Sequence, residues 1–154
     1  TAEEVSKIEM AKEKKYQEMY RPFMEPMPGL MEFLAAAKSA GIRMGIGSAA
    51  IPFNIDFVLD ELNIRKYFST IVSAFDVPVS KPNPAVFSKG AEALKVDPAN
   101  CIVFEDAPKG VEAAANAGMK AVAITTMHEP EEFKQYNNII AFTKDFGTLS
   151  YLLD

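Results

Sequence analysis

From residue 29 onward the apolar positions fall into two alternating patterns. Leu30, Phe33, Leu34 and Ala37 lie at helical spacing, and Gly41 is suited to stop that helix. Ile55, Val58, Leu59 and Leu62 predict a second helix, "PAVFSKGAEAL" a third ending near Leu94, and "GVEAAANAG" a fourth. Between them lie "IRMGIGS", "STIVSAF", "CIVFED", "KAVAITT" and "NIIAF", short apolar runs without clean polar alternation. Such runs predict strands covered on both faces. "PEEFKQY" predicts a short helix and "GTLSYLLD" a final one. Strands alternating with helices point to βαβ units and a parallel sheet, an α/β fold.

The first 28 residues break this rhythm. Residues 1 to 21 predict a helix opened by a capping box of Thr1 and Glu4. Its apolar stripe, Val5, Ile8, Tyr16, Met19 and Phe23, is sparse, so it is expected to pack against another element. "RPFMEPMPG" carries three prolines that end the helix and form a linker.

Composition narrows the function classes. The 154 residues fit one domain of ordinary size, with 49% hydrophobic and 24% charged positions. A net charge of −5 without a lysine-arginine run argues against a nucleic-acid partner. A small phosphorylated ligand needs only one or two cations and some backbone N–H groups, so it stays in play. Cys101 is the single cysteine, which forbids an intrachain disulfide and fits a reducing cytoplasm. No apolar run reaches the ~20 residues of a membrane helix. The absence of an initiator Met raises the expectation of a truncation, a fragment or a processed product.

In open α/β sheets, ligands bind at the carboxyl ends of the strands. Ser48, the adjacent pair Glu105 and Asp106, and Thr125 with Thr126 stand at such ends, and Lys81 lies in the loop "VSKPNPAVF". Each has two readings. Glu105-Asp106 is either a solvated corner or a site for one Mg²⁺, a hard cation that takes one or two carboxylates and fills its shell with water and phosphate. Ser48 either caps the next helix or binds a phosphate oxygen, with Ala49 and Ala50 small enough to admit backbone N–H groups. Lys81 is either a surface lysine or an ammonium aimed by its flanking prolines. His128 reads as an exposed loop residue and Cys101 as a core residue.

In combination, Ser48 after a strand, "SAFDVPVSKPNPAVF" and "IVFEDAPKGVEAAANAGM" resemble the haloacid dehalogenase-like (HAD) hydrolase superfamily, in its phosphatase and β-phosphoglucomutase-like branch. The likeness runs from about Pro28 to Thr126. It implies a Rossmann-like three-layer sandwich and an Mg²⁺-dependent hydrolase or phosphomutase, cytoplasmic, acting on a small phosphorylated metabolite through a phosphoaspartate. It assigns phosphate binding to Ser48, the Ala49 backbone N–H and Lys81, a catalytic role to Lys81, and metal binding to Asp106 with Glu105 beside it.

The family's nucleophile lies in a D-x-D motif on an N-terminal strand, and no D-x-D occurs in this sequence. The resemblance therefore implies a C-terminal portion, with residues 1–25 a residual cap helix and linker and residues 26–154 the core. Such a chain lacks the first strand and is expected to be inactive alone. The absent strand would lie between those ending at Ser48 and at Glu105. Unpaired buried backbone groups cost about 1–3 kcal/mol each, so the gap is expected to be filled by a complementing N-terminal segment, by a neighbouring chain or by collapse of the flanking strands. A second function class is a non-catalytic α/β binding or interaction domain derived from the same fold.

Overall fold

The computed structural model describes residues 1–153. Helix α1 (Ala2–Tyr20) is followed by α2 (Leu30–Ser39), β1 (Gly45–Gly47), α3 (Pro52–Glu61), β2 (Thr70–Val72), α4 (Ala85–Leu94), β3 (Ile102–Glu105), α5 (Pro108–Asn116), β4 (Lys120–Ile124) and β5 (Ile139–Thr143). All strand pairs are parallel, as the alternation of elements predicts. None of the helices among the described residues is long and apolar enough to cross a membrane.

Three layers result. On one face of the strands, Val86, Phe87 and Ala91 of α4 and Val111, Ala113 and Ala114 of α5 pack on Val72, Val103, Ala121 and Ala123. On the other, Leu34 of α2 and Ile55 and Leu59 of α3 enclose Ile46 and Ile71. Phe33, Val122 and Leu149 continue that layer. Adjacent residues 121, 122 and 123 thus bury opposite faces, the period-two geometry of a strand covered on both sides. Phe33, Phe104 and Phe146 meet pairwise with ring centroids 5.4 Å apart, tying α2 and the C-terminal segment to β3.

The strands form two sheets, one of β1 and β2, the other in the order β3-β4-β5. Ser48 N–H donates to Val72 O and Ser69 N–H to Met44 O, so positions 44, 46 and 48 address β2. The alternation of a parallel ladder turns the N–H and C=O groups of Gly45 and Gly47 the other way. In β3, Cys101 O accepts from Lys120 N–H, which places Val103 and Glu105 toward β4 and turns Ile102 and Phe104 outward. The flanking strands have not collapsed onto each other. A groove of about 390 Å³ runs beside their C-terminal ends, lined among others by Gly47, Phe104 and Glu105.

Several local expectations change. The predicted strand "STIVSAF" ends at Val72, because Ser73 and Asp76 form a capping box across a 3-10 turn at Ala74–Asp76. "PEEF" and "SYLL" are likewise 3-10 turns, not α-helices, and Asp154 of the predicted last helix lies outside the described residues. Val58 is 38% exposed while Phe57 takes the buried position on α3.

Helix α1 carries its predicted capping box, but its apolar stripe faces solvent, with Ile8 70% and Phe23 75% exposed. A polar clamp seats it instead. The buried Gln17 donates from Nε2 to Phe53 O at 3.1 Å and to Asn54 Oδ1 at 3.0 Å. Asn54 in turn donates to Glu13 at 2.7 Å, and Arg21 pairs with Glu61 at 3.1 Å.

Candidate functional site

The residues singled out at the strand ends converge on the mouth of the groove. Gly47, Ser48, Lys81, Glu105, Asp106 and Thr126 all line it, joined by Met27 from the proline-rich linker. Met27 carries no sequence signal. It arrives because the linker is pinned behind it, Phe146 N–H donating to Pro28 O at 2.9 Å. Thr125 points elsewhere and donates its hydroxyl to Thr143 O.

Ser48 does not cap α3, whose N-cap position is Ile51. Its Oγ accepts the Ala50 N–H at 3.1 Å, folding the chain into a tight turn. The exposed Ala49 N–H meets no protein acceptor among the described residues. A hydroxyl and a free amide therefore stand together at a strand end, the donor set that suits a phosphoryl oxygen. A second cavity of about 270 Å³ adjoins the groove, sharing Ser48 and Lys81 with it and lined further by Ala49, Val77, Pro78 and Val86.

Lys81 is no solvated lysine: its side chain is 16% exposed. Its loop is braced at each side. Asn83 N–H donates to Ser80 O, Asn83 Oδ1 accepts from Ala85 N–H, and Asn116 on α5 donates to Pro82 O at 3.0 Å. The Lys81 ammonium pairs with Glu105 Oε1 and approaches Gly47 O at 3.4 Å. It also stands over the Phe87 ring, 4.7 Å from the centroid.

Glu105 and Asp106 divide into two roles despite adjacency. The Glu105 carboxylate is buried, with Oε1 on Lys81 and Oε2 accepting from Asp106 N–H at 3.0 Å and Ala107 N–H at 3.1 Å. It lies over Gly110, where a side-chain methyl would overlap it. Asp106 is exposed, and its carboxylate takes no hydrogen bond or ion pair among the described residues. Alternate strand residues point oppositely, so one acid turns inward and the next out to the groove. No cluster of three His, Cys, Asp or Glu side chains fit for a metal ion occurs among the described residues.

The other candidates lie apart. His128 Nδ1 sits 3.0 Å from Glu132 Oε1, and that contact holds the Glu132 carboxyl below its usual range. Cys101 is partly buried, and burial followed by the nearby Asp97 charge pushes its thiol up, away from nucleophilic character.

Comparison with known proteins gives the family. The haloacid dehalogenase-like hydrolase family model matches residues 2–118. The chain is 34% identical to hexitol phosphatase B of Escherichia coli over 98 residues, 64% of this chain and 44% of that protein. It is 33% identical to validoxylamine A 7'-phosphate phosphatase of Streptomyces hygroscopicus over 110 residues, 71% of this chain and 52% of that protein. The chain thus spans about half the length of the curated relatives it matches. Among solved structures, β-phosphoglucomutase from Clostridium difficile superposes with a TM-score of 0.70 at 32% identity, covering 82% of this chain and 54% of that one. CbbY from Rhodobacter sphaeroides, at 24% identity, shares the fold with a TM-score of 0.82 over 94% of this chain and 65% of its own. With a matching family model, phosphatase relatives and the lysine, serine and paired acids gathered at one groove, the chain belongs to the haloacid dehalogenase-like hydrolases, in their phosphatase and β-phosphoglucomutase-like branch.

Proposed function

We propose that this chain supplies the phosphoryl-binding portion of an Mg²⁺-dependent phosphatase or β-phosphoglucomutase acting on a small phosphorylated metabolite. The observation that carries the reading is the convergence of Ser48, Lys81 and the unpartnered Asp106 on one groove, with the free Ala49 N–H in the adjoining cavity that shares Ser48 and Lys81. Ser48 and Ala49 donate to phosphoryl oxygens, and Lys81 neutralises charge that develops on the transferring group. Asp106 fits one hard divalent cation, which completes its shell with water and phosphate oxygens. That ion, when bound, offsets negative charge on the phosphoryl group. Glu105 serves the site by holding Lys81, since both its oxygens are engaged.

The nucleophile of this reading is an aspartate on a separate extended segment. Gly45, Gly47, Ile102 and Phe104 offer that segment two parallel edges, and its C-terminal end then reaches Lys81. In this reading the aspartate carboxylate attacks the phosphorus, the ester P–O bond breaks and the substrate oxygen leaves as the alcohol; water or another sugar hydroxyl then takes the phosphoryl group from the phosphoaspartate and releases the carboxylate. Residues 1–25 are, in this reading, what the chain carries of a cap, and residues 26–154 are the core.

The test measures phosphate release from a panel of phosphomonoesters with and without Mg²⁺. The chain alone is expected to give none. Joined to an upstream segment bearing a D-x-D strand, it is expected to turn over in Mg²⁺, and Asp106→Asn in that protein is expected to weaken the metal dependence most. An inactive joined protein across the panel would overturn the enzymatic reading and leave the non-catalytic binding domain.

A further inference from the structure

Lys81 carries most of the site's positive charge, and its immediate surroundings pose a question of balance. A carboxylate as close as Glu105 attracts the ammonium but also offsets its charge. The Gly47 carbonyl, at 3.4 Å, is a long hydrogen bond and holds the ammonium weakly. The third neighbour is the face of Phe87, 4.7 Å from Nζ to the ring centroid. An aromatic face attracts a cation through its quadrupole without accepting its charge or occupying an N–H donor as a carbonyl does. Of the three ammonium hydrogens, one is directed to Glu105 and one toward Gly47 O, which leaves the third for an oxygen in the groove.

The chain makes room for this ring deliberately in its backbone. Phe87 stands in the first turn of α4 with 9% exposure, and its Cδ1 would lie 2.9 Å from a Cβ built on Gly47. Any side chain on Gly47 would displace the ring from beneath the ammonium. Gly110 does the same service for Glu105, whose carboxylate occupies the space of an absent methyl. Two glycines on two elements thus admit the two groups that hold one lysine.

We infer that Phe87 is a positioning residue for Lys81, acting through the electron density of its ring to fix the ammonium at the groove while leaving its charge available to an anion. The inference rests on the reading of Lys81 as the phosphoryl-binding cation.

Acylation of lysines by an amine-reactive acetyl ester, followed peptide by peptide by mass spectrometry, tests it in the full chain. Acylation needs an amine free to reach the ester, which a seat that fixes Nζ against Glu105 and the Phe87 ring opposes. Lys81 is expected to react at least about tenfold more slowly than the exposed Lys109 and Lys120. Site-specific replacement of Phe87 by mono-, di- and trifluorophenylalanine drains the ring face in steps at nearly constant volume. The Lys81 rate is expected to climb with each fluorine, by about tenfold over the series, the size of a desolvated cation–π contact. Phe87→Tyr, which retains a π face, is expected to stay slow, and Phe87→Leu to match the trifluoro variant. Circular dichroism on each variant confirms that the fold is retained.

A rate that does not change with fluorination overturns the inference, whether or not Phe87→Leu reacts faster, because packing alone would then account for the ring. A parallel arm with inorganic phosphate separates this outcome from the function. Phosphate is expected to slow Lys81 acylation in the unmodified chain. If the fluorine dependence holds and phosphate gives no protection, the seat stands and the phosphoryl-binding reading falls.

Discussion

The Lys81 ammonium and the Glu105 carboxylate form an ion pair that bridges the loop after β2 and the end of β3, with both partners largely removed from solvent. It spans the mouth of the groove between the two sheets.

Removing one partner strands the other. Lys81→Ala leaves a buried carboxylate with only two backbone donors, and the cost of breaking such a pair is about 3 kcal/mol. The double variant Lys81→Met with Glu105→Gln removes both charges and is expected to recover much of that loss. Urea midpoints of the two variants check this; equal loss in both would mean that the pair contributes little beyond packing.

Two helical glycines are expected to respond in opposite directions. Gly110→Ala forces a methyl into the Glu105 carboxylate and is expected to destabilise by about 1–3 kcal/mol. Gly90 on α4 has open space where its Cβ would lie, so Gly90→Ala is expected to stabilise by about 0.5–1 kcal/mol through helix propensity and unfolded-state entropy. Thermal or chemical unfolding of the pair measures both signs in one experiment.

Amide exchange should report the two exposed strand edges. Gly45, Gly47, Ile102 and Phe104 turn their N–H groups away from their sheets, so their amides are expected to exchange fast. Those of Ala121 to Ile124, buried in the middle strand, are expected to be slow. Slow exchange at the first four positions in the isolated chain would show that something pairs with them.

Asp76 gives the fold a pH dependence with a definite sign. The Ser73 hydroxyl and then its backbone N–H donate to the Asp76 carboxylate and hold its pKa below the ordinary value of 3.8. A group depressed in the folded state stabilises above its unfolded pKa and loses that contribution as pH falls through the folded one. The melting temperature of Asp76→Asn is therefore expected to lie below that of the parent at pH 6. The difference should shrink as pH drops below about 4. A difference independent of pH would remove the ionised cap from the account.

The layered α/β architecture was legible from residue spacing because β4 and the helices around it are buried on regular faces. Val122 against Ala121 and Ala123 is such a case. Strand ends with polar residues then led to Ser48, Lys81 and Asp106. Legibility failed where a local polar contact overrode an apolar run. "STIVSAF" stops being strand at Ser73 because its side chain and that of Asp76 close a turn. It failed again on α1, where the apolar stripe suggested packing but Gln17 makes the buried contact. Phe87 was hidden for another reason. Its spacing on α4 is that of an ordinary core residue, and only the folded arrangement brings a cation over its ring.

The tie between the loop after β2 and the tip of β3 has a mechanical side. The Lys81 ammonium adds a polar tie at the groove mouth to the apolar layers that join the two sheets. A variant that cannot make this tie keeps those apolar layers, so loss of the tie is expected to widen the mouth of the groove before it parts the sheets.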